Sequence, residues 1–217
     1  MTWNNAHRMA SVVQRWGEPM GPIVLWDVMG TLVHDPFYVE MPEFFGMTFE
    51  ALLEEKHPSA WVEFELGQRS EEDFLDSFFA DGRDFDRRGF VSAIRASYRW
   101  LPGLEELLAE LHGAGCTMHA FSNYPVWYQL IEERLGLSRF LDWTFVSCIT
   151  GLRKPDLAAY AHVSSELGVP AEQCVFVDDR TRNCEAARQS GIRSVVFDGI
   201  DSLRASLRDA GVLSHVM

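Results

Sequence analysis

Basic charge is scarce in this chain. Its 217 residues hold 19 lysines and arginines against 32 aspartates and glutamates, a formal net charge of −13 at pH 7. Such acidity argues against a nucleic-acid backbone or an anionic membrane as the main partner. An anionic small substrate would need local positive charge or a metal. Cysteine is scarce too, with only Cys116, Cys148, Cys174 and Cys184. None pairs in a C-x-x-C spacing and three lie in or beside apolar runs, the pattern of reduced, buried thiols. Long apolar runs are missing from the first 22 residues, where no secretory leader is legible. No stretch reads as a membrane span, so a cytoplasmic setting is expected. Low-complexity segments and internal repeats are absent. What remains is a chain 47% hydrophobic, which excludes disorder and suits one large domain or a core with an inserted subdomain.

The stretch from Ile23 to Leu32 organises the rest. A short apolar run ends abruptly in Asp27, and Gly30 and Thr31 follow. Such a run predicts a buried parallel strand over about 22–27. Ligands in parallel sheets sit beyond the carboxyl ends of the strands, so Asp27 stands where a catalytic carboxylate would stand. A strand can also simply end in a capping Asp, and the stretch alone does not decide.

A short helix is predicted over residues 5–16. From Pro36 to Trp100 only helical periodicity is found. Phe44, Phe45, Phe49, Leu52 and Leu53 give one amphipathic segment, and Trp61, Phe64 and Glu65 a second, which Gly67 ends. Ser70 caps a third with Phe74, Leu75, Phe78 and Phe79 on its apolar face. Residues 86–99 make a fourth. This block carries 7 basic and 14 acidic residues and 14 of the chain's 27 aromatics. A small helical subdomain needs bulky residues for a core, and a few of them suit a pocket for a planar substrate.

Strand and helix alternate after Pro102. Helices are expected near 104–113, 125–135, up to 167, 182–190 and after 201. Strands are expected near 117–121, 143–147, 174–177 and 194–197. Repeated β-α units imply a doubly wound parallel sheet, an α/β fold. The expected division is an α/β core from residues 1–35 and 101–217, with an all-helical cap from 36–100.

The core strands end in polar residues that share one sheet edge: Asp27, then Ser122 and Asn123, then Lys154 in a loop, then Asp178 and Asp179. The set suits phosphoryl transfer. A carboxylate attacks phosphorus and forms an aspartyl-phosphate. Asp178 and Asp179 supply hard oxygens for Mg²⁺. Ser122, with main-chain N–H groups near Asn123 and Gly30, holds the phosphoryl group, and Lys154 offsets the crowded negative charge. Alone, Lys154 would be a surface lysine and Ser122 a helix cap. Adjacent carboxylates at the end of a buried strand repel, which is harder to explain without a ligand.

In this order the motifs resemble the haloacid dehalogenase superfamily, over residues 22–200. Asp27-Val28-Met29-Gly30-Thr31 is similar to its first motif, whose first Asp is the nucleophile. Ser122, Lys154 and Asp178-Asp179 match the second, third and fourth motifs. The helical block, with Trp61 to Gly67 followed by Ser70-Glu71-Glu72, matches the cap inserted after the first motif. The resemblance implies one Mg²⁺ held by Asp27, the Met29 carbonyl, Asp178 and Asp179, with Asp179 the closer ligand of the pair. Asn183 then steadies the site from behind.

One departure matters. Phosphatases of this superfamily carry an Asp two positions after the nucleophile, as general acid and base. Here it is Met29, which moves no proton. Another group or water then does the proton work, or the reaction differs, or catalysis is impaired. Haloacid dehalogenases replace that Asp but lack the paired acids of the fourth motif. Phosphonate hydrolases use a cap lysine, and Lys56 is the only lysine in this cap. A module that binds a phosphorylated metabolite without turnover is a further alternative. His34, at the hinge, and His57, in the cap beside Lys56 and Trp61, are the candidates for proton transfer and for meeting the distal part of a substrate. Asp35 to Tyr38, Phe44 to Met47, Lys56 to Pro58, Asp81 to Asp86 and Ser122 to Tyr128 resemble the plant plastid flavin mononucleotide hydrolases, which share the Met. That implies a phosphatase acting on flavin mononucleotide or a similar ester. The plastid-targeting segment of those relatives has no counterpart here, in keeping with a cytoplasmic setting.

Overall fold

The computed structural model describes residues 21–213, and the helix predicted over 5–16 lies outside them. Five strands form one parallel sheet in the order β3-β2-β1-β4-β5. They are β1 (Ile23–Trp26), β2 (Met118–Ser122), β3 (Asp142–Val146), β4 (Cys174–Asp178) and β5 (Arg193–Val196). Every residue of β1, β2 and β4 is buried, whereas the edge strands β3 and β5 are partly exposed. This is the doubly wound α/β fold expected from continuous apolar runs flanked by helices.

The side chains of β1 alternate between two cores. Ile23 and Leu25 join Phe121 and Phe176 under the helices α9 (Leu157–Leu167) and α10 (Thr181–Gln189). Val24 and Trp26 join a larger cluster with α6 (Leu104–Gly113), α7 (Tyr128–Leu135) and α11 (Ile200–Asp209).

Five helices lie between β1 and α6: α1 (Glu40–Phe44), α2 (Phe49–Glu55), α3 (Ala60–Glu65), α4 (Glu71–Asp76) and α5 (Arg87–Ser97). The chain leaves and rejoins the sheet side by side, because His34 N–H donates to Arg99 O and Leu101 N–H to Leu32 O, each at 2.9 Å. The insertion shares its core with the larger sheet face. Phe64 and Phe74 stack at 4.6 Å, and Trp127 meets them edge-on at 5.3 and 5.5 Å. The Trp127 indole N–H donates to Glu71 at 2.5 Å.

Four local expectations are corrected. The single segment around Phe44–Leu53 is two helices, broken at Gly46 (φ +65°) and restarted by Thr48, whose hydroxyl accepts the Ala51 N–H. Phe78 and Phe79 lie beyond the end of α4, though both are buried. A short helix, α8 (Ser147–Thr150), follows β3 directly. Cys116 and Cys148 are only half-buried, while Cys174 and Cys184 are fully so, and all four are free thiols. Among the described residues no helix is long and apolar enough to cross a membrane.

Candidate active site

The central strands bring their polar ends to one edge. Asp27 follows β1, Ser122 ends β2, and Asp178 ends β4 with Asp179 next. Lys154 arrives from the loop between α8 and α9. In the strand order, β1 lies between β2 and β4, so these groups converge where the winding reverses, the usual ligand crevice of such sheets.

Lys154 is the centre of the cluster. It is 1% exposed, and its Nζ donates to Asp27 Oδ1 and to Asp178 Oδ2, both at 2.7 Å. Carboxylate oxygens of Asp27, Asp178 and Asp179 lie within 4.8 Å of one another. Burial alone would lower the lysine's pKa, but Asp178 and Asp27 outweigh it and hold the ammonium above its ordinary value. For Asp27 the balance goes the other way. Burial, with repulsion from Asp178 and Asp179, overcomes the pull of Lys154 and pushes its pKa up to about 7. Asp179 is raised by burial and by Asp178. The Lys154 ammonium and the Arg180 guanidinium, whose Nε lies 3.4 Å from Asp179 Oδ2, face three carboxylates, and a divalent cation would neutralise the remaining negative charge.

Neighbouring side chains fix this arrangement. Thr31 donates its hydroxyl to Asp27 Oδ2 at 3.0 Å and accepts the Asp179 N–H at 3.1 Å, tying two carboxylate residues together. Asn183 Nδ2 donates to both oxygens of Asp178, and the Arg180 N–H donates to Asp178 Oδ1 at 2.7 Å. With Lys154 on its other oxygen, Asp178 is saturated, which leaves Asp179 the freer carboxylate. No described residue donates to the Met29 carbonyl. Gly30 has φ +80°, and a Cβ there would lie 3.0 Å from Asp179 Oδ2, so any other residue would strain the turn and crowd that carboxylate.

Four buried side-chain polar atoms have no partner among the described residues, Trp26 Nε1, Arg87 Nε, the Ser122 hydroxyl and Asn183 Oδ1, and the last two belong to residues of this sheet edge. A buried hydroxyl left unpaired at a strand end costs free energy unless a ligand meets it.

Other predicted residues are engaged elsewhere. The Asn123 side chain holds the Lys154 main chain at both ends, Nδ2 to Lys154 O at 2.7 Å and Lys154 N–H to Oδ1 at 2.8 Å. The side chain positions the lysine. The Gly30 N–H is likewise committed to Val33 O at 2.8 Å. His34 Nε2 lies 2.8 Å from both Glu40 oxygens. His57 Nδ1 accepts the N–H groups of Ser59 and Ala60, which caps α3. Lys56, His57 and Trp61 line a small apolar cavity in the insertion, with Phe37 and Met41. Trp61 also reaches toward the sheet, its ring 5.9 Å from Tyr124.

With this geometry in view, the comparisons with known proteins agree. The family profile of haloacid dehalogenase-like hydrolases matches residues 22–191. The chain belongs to the haloacid dehalogenase-like hydrolases. Among relatives of this hydrolase, chloroplastic flavin mononucleotide hydrolase 1 of Arabidopsis thaliana is 48% identical over 191 residues, 88% of this chain and 78% of that protein. A sesquiterpene phosphatase of Aspergillus oryzae is 32% identical over 141 residues, 61% of this chain and 69% of its own length. A haloacid dehalogenase-family enzyme of Bacteroides thetaiotaomicron, solved in complex with magnesium and inorganic phosphate, superposes with TM-score 0.65. It covers 81% of this chain and 93% of its own at 17% identity, a likeness of fold.

Sequence reasoning passed over Thr31 as a working group. Its signal was there: a hydroxyl residue four positions after the strand-end Asp, just past a glycine turn. Glu65 and Arg153 were also missed, since their pairing spans 88 residues.

Proposed function

We propose that this hydrolase is a Mg²⁺-dependent phosphatase of small phosphate monoesters, flavin mononucleotide foremost, working through an aspartyl-phosphate on Asp27. The carrying observation is the cluster of three carboxylates beside one buried lysine, which bonds two of them. The unpartnered Ser122 hydroxyl on the same sheet edge supports it. The relatives named as phosphatase and flavin mononucleotide hydrolase favour the same chemistry.

The donor set fits a hard cation. Asp27, Asp179 and the Met29 carbonyl would hold it, with Asp178 behind them. When bound, the cation neutralises the carboxylates and the phosphoryl oxygens. The rest belongs to the chain's own groups. An Asp27 oxygen attacks phosphorus, a new P–O bond forms, and the ester P–O bond breaks. Lys154 Nζ and Ser122 Oγ hold the phosphoryl oxygens throughout. The leaving oxygen takes a proton, and water then hydrolyses the acyl phosphate to free phosphate and restore Asp27. His34 and His57 are held by Glu40 and by the start of α3, so water is the donor that fits. Residues 36–100 act as a cap in this reading, with Trp61 set to meet a planar group beyond the phosphate.

The test is phosphate release from flavin mononucleotide, sugar phosphates, nucleotides and phosphonoacetaldehyde, with and without Mg²⁺. Release from flavin mononucleotide only with Mg²⁺ is expected, and Asp27→Asn should abolish it with an unchanged circular dichroism spectrum. Full activity in chelator would remove the metal from the reading. Near wild-type turnover in Asp27→Asn would remove the covalent step. Hydrolysis confined to another ester would remove flavin mononucleotide alone.

A further inference from the structure

An ion pair between a buried carboxylate and a half-exposed guanidinium joins the helical insertion to the lysine loop. Arg153, the residue before Lys154, sets its guanidinium on Glu65 Oε1, Nε at 2.7 Å and Nη2 at 2.5 Å. Glu65 ends α3 and is only 3% exposed. Burial raises its carboxyl pKa even against the pull of Arg153. An apolar pair would hold this junction at a lower desolvation penalty, so the ion pair is poorly explained as a stabiliser. It is better explained by what it orients.

Both partners are fixed independently. The Glu65 carbonyl accepts the Ser147 hydroxyl, and Ser147 Oγ in turn accepts the Tyr124 N–H at 2.9 Å. Two residues on, Gly67 sits so close to α8 that a Cβ would lie 2.6 Å from Cys148 O. Asn123 meanwhile clamps the Lys154 main chain from the sheet side. The Arg153–Lys154 segment is thus held between the sheet and the insertion. The side chain it projects must reach Asp27 and Asp178 together.

We propose that Glu65 is a positioning residue for phosphate-ester hydrolysis: by holding Arg153 it sets where the Lys154 ammonium stands, so that the lysine is in place only when the helical insertion is seated. The proposal rests on the reading of Lys154 as the group that holds the phosphoryl oxygens.

Glu65→Gln keeps the shape and removes the charge. With p-nitrophenyl phosphate, kcat should fall about 10- to 100-fold, the order of loss that a displacement near 1 Å produces. The inhibition constant for inorganic phosphate should rise about tenfold, with each variant assayed well below its own melting temperature. Arg153→Gln opens the pair from its half-exposed side and should give the same losses, which keeps the test valid if Glu65→Gln folds poorly. The double variant should be no worse than the worse single, because both break one contact. Wild-type kcat and phosphate inhibition in both singles would overturn the proposal, and so would losses that multiply in the double variant. Lys154→Met is the control. If it keeps phosphate inhibition, the reading of Lys154 falls and the proposal with it. If it loses inhibition while Glu65→Gln keeps it, the proposal falls alone.

Discussion

Arginine outnumbers lysine 17 to 2 in this chain, yet a lysine stands between the two buried carboxylates. An ammonium is a compact point charge, and it fits where a planar guanidinium would not. Lys154→Arg should therefore be inactive despite keeping the charge. Lys154→Met leaves Asp27 and Asp178 buried without a counter-charge, and should cost about 3–5 kcal/mol in urea unfolding. Added Mg²⁺ should recover part of that loss if the carboxylates bind it. A wild-type unfolding midpoint for Lys154→Met would show that the cluster carries no such strain. Met29 poses the opposite case, a missing group. Met29→Asp should raise turnover of flavin mononucleotide, because general acid catalysis contributes roughly 10²–10⁴-fold. It should matter less for p-nitrophenyl phosphate, whose leaving group needs no proton. No change on either ester would mean that Met29 matters by its bulk, since its side chain packs against the larger core. At this scale Asp27, Ser122, Asp178 and Asp179 were legible because each ends a strand or follows one, whereas Lys154, in the loop between two helices, was legible from its place in the order of motifs. The commitment of the Asn123 side chain to the Lys154 main chain was not, because no local pattern encodes a bond across 31 residues.

Elements read well where an apolar pattern was regular. The strands β1 and β4 are short apolar runs with no competing helical reading, and their ends carry the carboxylates. Helix α4 was legible from its cap, since Ser70 Oγ accepts the Asp73 N–H as its composition implied. Elsewhere packing overrode the pattern. The aromatics from Phe44 to Phe49 suggested one helix, but Phe44 and Phe45, at the end of α1, pack on Phe90 and Phe85, while Phe49, opening α2 after a turn, packs on Phe37 and Tyr38. Helix α8 is four residues long, too short for periodicity to reveal. Its role shows only in three dimensions, where Gly67 lies against it. Gly67→Ala tests that seat. The position has φ +70° and no room for a methyl group before Cys148 O. The strain should cost about 1–3 kcal/mol in urea unfolding. The variant should also lower kcat by displacing the end of α3 and with it Glu65. A stability and kcat equal to wild type would mean that the insertion does not depend on this contact.

The whole molecule carries a large negative charge, so its response to acid depends on which groups gain protons on unfolding. His119 is a clear contributor away from the carboxylate cluster. It lies in β2, 8% exposed, with Nδ1 2.8 Å from the Thr144 hydroxyl on the neighbouring strand. Its ring meets Phe145 edge-on, and Phe145 in turn meets His162. Burial holds its pKa below the ordinary value of 6.5, against a weaker upward pull from Asp142. The unfolded chain therefore binds this proton more readily than the folded one. Above pH 6.5 the imidazole is neutral in both states and its full contribution to stability is present. As pH falls through 6.5 toward the depressed folded value, the unfolded state gains the proton first and stability is lost. Carboxylates titrate in the same direction of pH, so the informative quantity is a difference. His119→Asn keeps a polar partner for Thr144 and removes the titration. Unfolding free energies in urea, compared at pH 7.5 and pH 5.5, should show wild type losing more stability than His119→Asn. The gap between the two proteins should narrow as pH falls. A gap that stays constant or widens would mean that His119 takes its proton in the folded sheet as easily as in the unfolded chain, and that strands β2 and β3 open to water at that edge.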